Sequence, residues 1–395
     1  MSYDFLVNVY DNIQAKVISV PQIDAQFFVA NFPSRYSYQT NGAAVVPTPA
    51  TAWAPAADQN LSNFRNVLDG GDFSVNPWQR GTSFTGITST ANYTADRWAA
   101  RGSAGSSISV SKQAISAGVL PGFGSALQFG RANANADVNP ISLAQVVESL
   151  DTLRLQGQWV TLSFYAQAGA NFSSLNSMLN VVVGVGTGAD EGMTKFLNGS
   201  SSGWAGYQAL SLAAGASSNP LIAGTWQRFF ATFFVPVGAT ELGVAFNYTP
   251  VGTAGANDWF QITGAQLEVG QYVSLFEHLD VQVVLEICQR YFWGIPEPAN
   301  NVLVATGGAT AGANVQNFLF MAPVQMRVAP TVNVAAGSFK VAAGAAAAAA
   351  VSLAAGATHT PNQFTVTSGN TQTAGGAAHL QGGGGAGLIS ISADL

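Results

Sequence analysis

The chain has 395 residues, of which 9% are charged, with a formal net charge of -6, three histidines and a single cysteine. Ordinary soluble domains carry roughly 25% charged residues, so this surface either relies on amides and hydroxyls or is covered by neighbouring subunits. No Lys/Arg cluster exists to neutralise phosphates, which argues against a nucleic-acid binder, and one cysteine leaves no disulfide framework and no CxxC metal site.

The opening Met1-Ser2-Tyr3-Asp4 lacks the basic and apolar regions of a signal peptide. The purest apolar run, Ala345–Ala350, is far short of the roughly 18 residues a membrane span needs. The expectation is a chain made in a cytoplasm, without membrane insertion. Phe5–Tyr10 and Ala15–Val20 read as short strands, followed by Ala25–Val29 and by proline-punctuated segments around Asn31–Ser34 and Val46–Ala50. Residues 1–69 are too poor in periodic apolar positions to form their own core, yet rich in aromatics. Such an arm packs against another chain, with Phe27, Phe28, Phe32, Tyr36 and Trp53 as its candidate docking residues; a plain linker is the alternative.

From residue 66 to 277 the pattern is short apolar-alternating segments separated by Gly, Asn and Ser turns. Strands are predicted at Ser107–Ser111, Ala126–Phe129, Leu143–Val147, Trp159–Ala166, Met178–Val185, Gln208–Leu212, Trp226–Val235, Glu241–Phe246 and Trp259–Leu267. This reads as one antiparallel β-sandwich over residues 70–280. The segment Phe229–Val235 is apolar on both faces, which places it centrally or against a partner. In the last strand Gly264 shifts the alternation by one residue, as a β-bulge does. Val281, Val284, Leu285, Cys288 and Tyr291 then repeat on one face of a linking helix over 281–293, with Cys288 a small buried hydrophobe.

Residues 294–395 read as a small β-domain stabilised by association with its own copies. Val302–Ala305, Asn317–Met321, Thr331–Val334 and Gln363–Thr367 are strand-like. The alanine run within Ala342–Ala350 has strong helix propensity, but its flanks leave its state open.

Reactive groups do not cluster. Asp190-Glu191 sits in a glycine-rich stretch and reads as a solvated turn rather than a glycosidase pair. His278, His359 and His379 lack metal spacing, and neither a G-x-S-x-G elbow nor a phosphate loop occurs. The expectation is no catalytic residue, no cofactor and no metal. A binding loop is the remaining candidate: Gly199–Tyr207 carries Trp204 and Tyr207, whose rings can stack on a sugar face if exposed, with Asn198 and Gln208 supplying amide hydrogen bonds. The alternative is that Trp204 anchors its own loop or a subunit contact.

Six motifs in order give the sequence a resemblance. Leu68-Asp-Gly-Gly-Asp-Phe73 with Asn76-Pro-Trp-Gln-Arg-Gly81, then Tyr93-Thr-Ala-Asp-Arg-Trp98, Leu155–Phe164, Thr225-Trp-Gln-Arg228 with Phe233-Phe-Val-Pro236, Gly264–Gly270 with Cys288-Gln-Arg-Tyr-Phe292, and Pro323–Thr331 resemble elements of tailed-bacteriophage tail and fibre proteins that contain carbohydrate-binding-module-like jelly rolls. The resemblance spans 66–331. It implies an all-β virion structural protein: an antiparallel jelly-roll β-sandwich with an extended N-terminal arm, one linking helix and a small C-terminal β-domain. It further implies a homotrimer held to other virion proteins by the arm, with a host-surface glycan as a possible ligand. Related modules often hold a structural calcium near the edge that Asp72 and Phe73 open; Gln266 stands where they tend to have a carboxylate, which argues against the metal. Trp98, Trp159 and Trp226 are expected in the core. A carbohydrate-binding adhesion module is the rival reading, and a depolymerase tailspike is disfavoured because no repeat period is visible.

Overall fold

The computed structural model describes residues 64–395 apart from 75–76, 198–202, 211–218, 310–314, 320–321, 335–337, 344–345, 356–362, 369–375 and 386, together with the backbone of four strands in the first 63 residues. The chain forms two compact units, 1–63 and 64–395. In the first, β1 (Leu6–Asp11), β2 (Lys16–Pro21), β3 (Tyr36–Thr40) and β4 (Ala43–Ala44) make an antiparallel sheet of order β2-β1-β3-β4. Of the candidate docking residues, Tyr36 opens β3, while Phe27, Phe28, Phe32 and Trp53 lie outside the described residues.

The second unit begins with residues that sequence analysis assigns to the arm: Val67 and Leu68 are buried, and the Val67 amide donates to the Leu267 carbonyl at 2.8 Å. Its body is an antiparallel jelly-roll β-sandwich. One sheet comprises β5 (Ser83–Ile87), β8 (Ile108–Ala114), β9 (Ser125–Arg131), β11 (Trp159–Ala168), β14 (Gln227–Phe234) and β16 (Trp259–Val269), in the order β14-β11-β16-β9-β8-β5. The other comprises β6 (Asn92–Tyr93), β7 (Trp98–Arg101), β10 (Ile141–Val147), β12 (Asn180–Gly186), β13 (Gln208–Ala209) and β15 (Glu241–Tyr248), in the order β13-β12-β15-β10-β7-β6. All nine predicted strands of this region are present; β5, β6 and β7 were not anticipated.

The alternation reads out as expected. Val160, Leu162, Phe164 and Ala166 of β11 face the other sheet and are buried, and Phe164 meets Phe246 of β15 edge-on with ring centroids 4.8 Å apart. Burying each such ring contributes roughly 2–3 kcal/mol. The bulge lies where the sequence places it: Gly264 has φ +62°, and the β11–β16 register slips between Ser163 and Tyr165.

Two expectations need correction. β14, apolar on both faces, is not central but an edge strand, with Phe230 36% and Phe234 44% exposed on the outer face. Trp98 is fully buried and Trp226 half-buried, but Trp159, the first residue of β11, points away from the core and is 37% exposed, while Thr161 and Ser163 farther along the same face are covered.

The helices are short: α1 (Ser149–Leu153), α2 (Met193–Leu197) and α3 (Val281–Gln289). Asp280 caps α3 by accepting the Gln282 amide at 2.8 Å. The helix stops at Gln289, short of 293. Val284 and Cys288 are buried, Val281 is exposed, and Tyr291 is buried from the turn that follows.

Beyond it, β17 (Phe292–Pro296), β20 (Thr331–Val334) and β25 (Leu388–Ser392) form a three-stranded sheet of order β17-β25-β20. β18 (Leu303–Ala309), β19 (Val315–Leu319), β21 (Phe339–Ala343), β22 (Ala346–Ala355), β23 (Gln363–Ser368) and β24 (Ala377–Gly382) close into a barrel. Phe318, Phe339, Leu380, Ile389 and Ile391 are buried in one cluster of this region. The alanine run is strand β22, hydrogen-bonded to β21 and β23 on its two sides. Pairing along both edges overrides a helix preference worth under 1 kcal/mol per residue.

Candidate functional site

The predicted binding loop does not present its tryptophan. Trp204 is 3% exposed; its ring stacks on Phe196 of α2 at 4.6 Å and 24°, and its Nε1 donates to the Glu191 carbonyl at 2.9 Å. The expectation of an exposed stacking ring is therefore corrected: Trp204 anchors its own loop. Glycines on the sheet beneath make room for it, since a Cβ on Gly243 would stand 2.9 Å from both the Phe196 and Trp204 rings. Tyr207 is half-buried on the same cluster, Gln208 is exposed on β13, and Asn198 lies outside the described residues.

Asp190-Glu191 is likewise no freely solvated turn. Asp190 accepts the Ser149 amide at 3.0 Å and pairs with Arg327 at 3.2 Å. Glu191 pairs with Lys195 at 2.6 Å and accepts the Ala205 amide at 2.6 Å. Its own amide donates at 3.0 Å to Glu241, a fully buried carboxyl. Burial, with Asp190 and Glu191 nearby, raises Glu241 to about 6.

The motif residues converge elsewhere, on a joint between the sandwich, α3 and β17. Arg80 pairs with Asp96 at 2.9 Å and with Asp394, and stacks over Phe292. Gln79 donates to the Phe292 carbonyl at 2.8 Å. Arg97 is 1% exposed, with φ +71°; its Nε donates to Asp69 at 2.9 Å, its Nη2 to the Val146 carbonyl at 2.7 Å, and its Cζ stands 3.6 Å from the Tyr291 ring centroid. Glu148 completes the set by accepting from Arg290 at 2.7 Å and from the Tyr291 hydroxyl at 2.9 Å. Burial lifts the Tyr291 and Tyr93 hydroxyls well above their ordinary range. Residues 393–395 thread the same joint: the Ala393 amide donates to the Tyr291 carbonyl at 2.7 Å, and the Leu395 carbonyl accepts from the Tyr93 hydroxyl and the Met193 amide.

Beside the joint opens a cleft of about 420 Å³, lined among others by Phe64, Asp69, Glu148, Arg154, Arg290 and Tyr291. Its charges are largely paired beforehand: Asp69 with Arg97, Glu148 with Arg290, and Asp151 with Arg154 at 3.4 Å. Such a wall offers donors and acceptors side by side, with Glu286, also in the lining and exposed, in no ion pair among the described residues. At the sandwich edge opened by Asp72, Gln266 donates to Ser274 at 3.1 Å and accepts the Glu277 amide at 2.8 Å. Among the described residues no group of three or more His, Cys, Asp or Glu is placed to hold a metal ion. Sequence spacing could not reveal the joint, because its partners are far apart along the chain; the motifs Leu68–Phe73, Asn76–Gly81, Tyr93–Trp98 and Cys288–Phe292 were the only signal.

No protein-family model and no curated protein sequence matches this chain. Similar solved structures include the enzymatically active domain of bacteriophage CBA120 tailspike protein 4, at 13% identity and a TM-score of 0.29, covering 53% of this chain and 22% of that one. They also include the CBM22-1 xylan-binding domain of Paenibacillus barcinonensis Xyn10C, at 16% identity and a TM-score of 0.27, covering 48% of this chain and 94% of that one. A third is the C-terminal family 22 carbohydrate binding module of Clostridium thermocellum Xyn10B, at 17% identity and a TM-score of 0.27, covering 45% and 89%.

Proposed function

We propose that this chain is a structural protein of a bacteriophage virion, of tail-fibre, spike or head-fibre type, that mediates particle attachment. In this reading residues 1–63 dock on other virion proteins, the sandwich and C-terminal β-structure project outward, and copies assemble as a homotrimer. The chain is not an enzyme and uses no cofactor. The observation that supports this most is the convergence of the motif residues: Asp69, Arg80, Asp96, Arg97, Tyr291 and Phe292 form one buried joint that fixes one β-body to another. Rigid coupling of successive bodies is what a projecting fibre needs.

The test is incorporation. The full chain should be found in purified particles by immunoblot, while a chain lacking residues 1–63 should fold, stay soluble and be left out of them. Purified virions without the full chain would end this reading.

A second reading, a carbohydrate-binding adhesion module recognising host polysaccharide, is favoured by the paired-charge cleft with Phe64 54% exposed at its wall. It requires glycan-array binding by the full chain that Arg154→Ala weakens, Arg154 being a half-exposed residue of that wall.

A further inference from the structure

The edge strand β14 carries a surface that the joint and the cleft do not use. Its outward side chains Phe230 and Phe234 are 36% and 44% exposed, and Phe234 meets Trp159 of β11 edge-on at 5.5 Å. The chain around them extends the patch. The Gly270 amide donates to the Trp159 carbonyl at 2.7 Å and Arg228, opposite Tyr165, donates to the Ser274 carbonyl, so the segment carrying Tyr272 and Leu275, 52% and 78% exposed, runs over the outer face from the Trp159 end toward the Tyr165 end. Val237, 73% exposed, follows β14 and reaches Gly157, two residues before Trp159.

We propose that this face is where one copy of the chain packs against a second copy. Four observations select that occupant. First, β14 and β11 contain no Asp, Glu or Lys, and their one cation, Arg228, is engaged with Ser274 and lies 5.5 Å from the Tyr165 ring centroid. An acidic, basic or phosphorylated partner therefore finds nothing to pair with, whereas an identical uncharged patch meets no repulsion. Second, the six side chains expose on the order of 600–700 Å², close to the roughly 800 Å² per partner of a standard stable interface. Third, among the described residues β14 is hydrogen-bonded to β11 alone, and its pairing runs without a bulge or a proline from Gln227 to Phe234. A regular edge with aromatics beside it is one that proteins cover. Fourth, a strand apolar on both faces is explained by burial on both faces. Among the described residues nothing covers Phe230 and Phe234 on that second face. The inference deepens the proposed function by giving its self-association a surface, and rests on that reading for its setting alone.

The full chain should be oligomeric by light scattering and sedimentation, with a mass that falls on dilution. Phe230→Ser together with Phe234→Lys should raise the apparent dissociation constant by about a hundredfold or more, leaving circular dichroism and melting of the monomer unchanged because both side chains point outward. An independent readout uses Phe230→Cys: the native Cys288 is fully buried, so maleimide reports the introduced thiol alone. Its labelling should be slow at high concentration and fast after dilution. A full chain that is monomeric at every concentration, a double variant that keeps its mass, or labelling independent of concentration would each overturn the proposal. Absence of the chain from purified virions would instead sink the virion reading and leave this surface standing.

Discussion

The guanidinium of Arg80 lies against the ring of Phe292, its Cζ 3.5 Å from the ring centroid, while its nitrogens hold Asp96 and Asp394. One side chain from the start of the sandwich thus touches the turn before β7, the first strand beyond α3 and the segment after β25. Stacking and ion pairing act on the same group, so the joint depends on the planar shape of arginine as well as its charge.

Arg80→Ala should therefore destabilise the second unit by about 3–5 kcal/mol, because it strands Asp96 in a fully buried site. Arg80→Lys should recover only part of this, returning a charge but no stack. Denaturant unfolding of the three proteins checks the order.

Glu241 gives the fold a pH dependence of definite sign. Its folded value, about 6, lies above the ordinary 4.5. Its contribution to stability is therefore fully present below about 4.5 and is lost as pH rises through about 6. Glu241→Gln keeps an oxygen to accept from Ser149 and Glu191 and removes the buried charge. The variant should be more stable than the parent at pH 8 by on the order of 1–2 kcal/mol, with a flatter melting profile between pH 4.5 and 7.

Gly264 is required by two constraints at once: φ +62°, and the Phe123 ring 2.8 Å from where a Cβ would stand. Gly264→Ala should cost about 1–3 kcal/mol. Gly238→Ala, where a Cβ meets nothing within 4 Å, should be close to neutral in the same melting experiment.

Trp204→Ala should act on stability rather than on a sugar surface. Loss of a buried indole, its stack on Phe196 and its bond to Glu191 should cost about 3–5 kcal/mol. If the chain binds a glycan, affinity should be unchanged at temperatures where the variant remains folded.

How much of this was legible follows from where the information sits. The period-two pattern of β11 disclosed its strand and its faces, and it also placed Trp159 on the face of Thr161 and Ser163 rather than with Val160 and Leu162. β5 to β7 escaped notice because they are short and because Trp98-Ala-Ala-Arg101 shows no alternation. That Trp204 anchors its own loop was one of the two readings its loop allowed; the room for the ring was not legible, since it is made by Gly243 on another strand. The alanine run was undecided because local propensity and pairing oppose one another. The joint was invisible as geometry: Arg97 and Tyr291 are brought together only by the finished fold.

The threading of residues 393–395 through that joint sets an order on biosynthesis. While the ribosome is still making β24, Tyr291 and Tyr93 await the backbone groups they will meet, and β18 has no β24 with which to shut the barrel. The sandwich strands all precede these steps, so it can collapse early on the nascent chain. Its clasp to residues 393–395 can form only once those residues have been made.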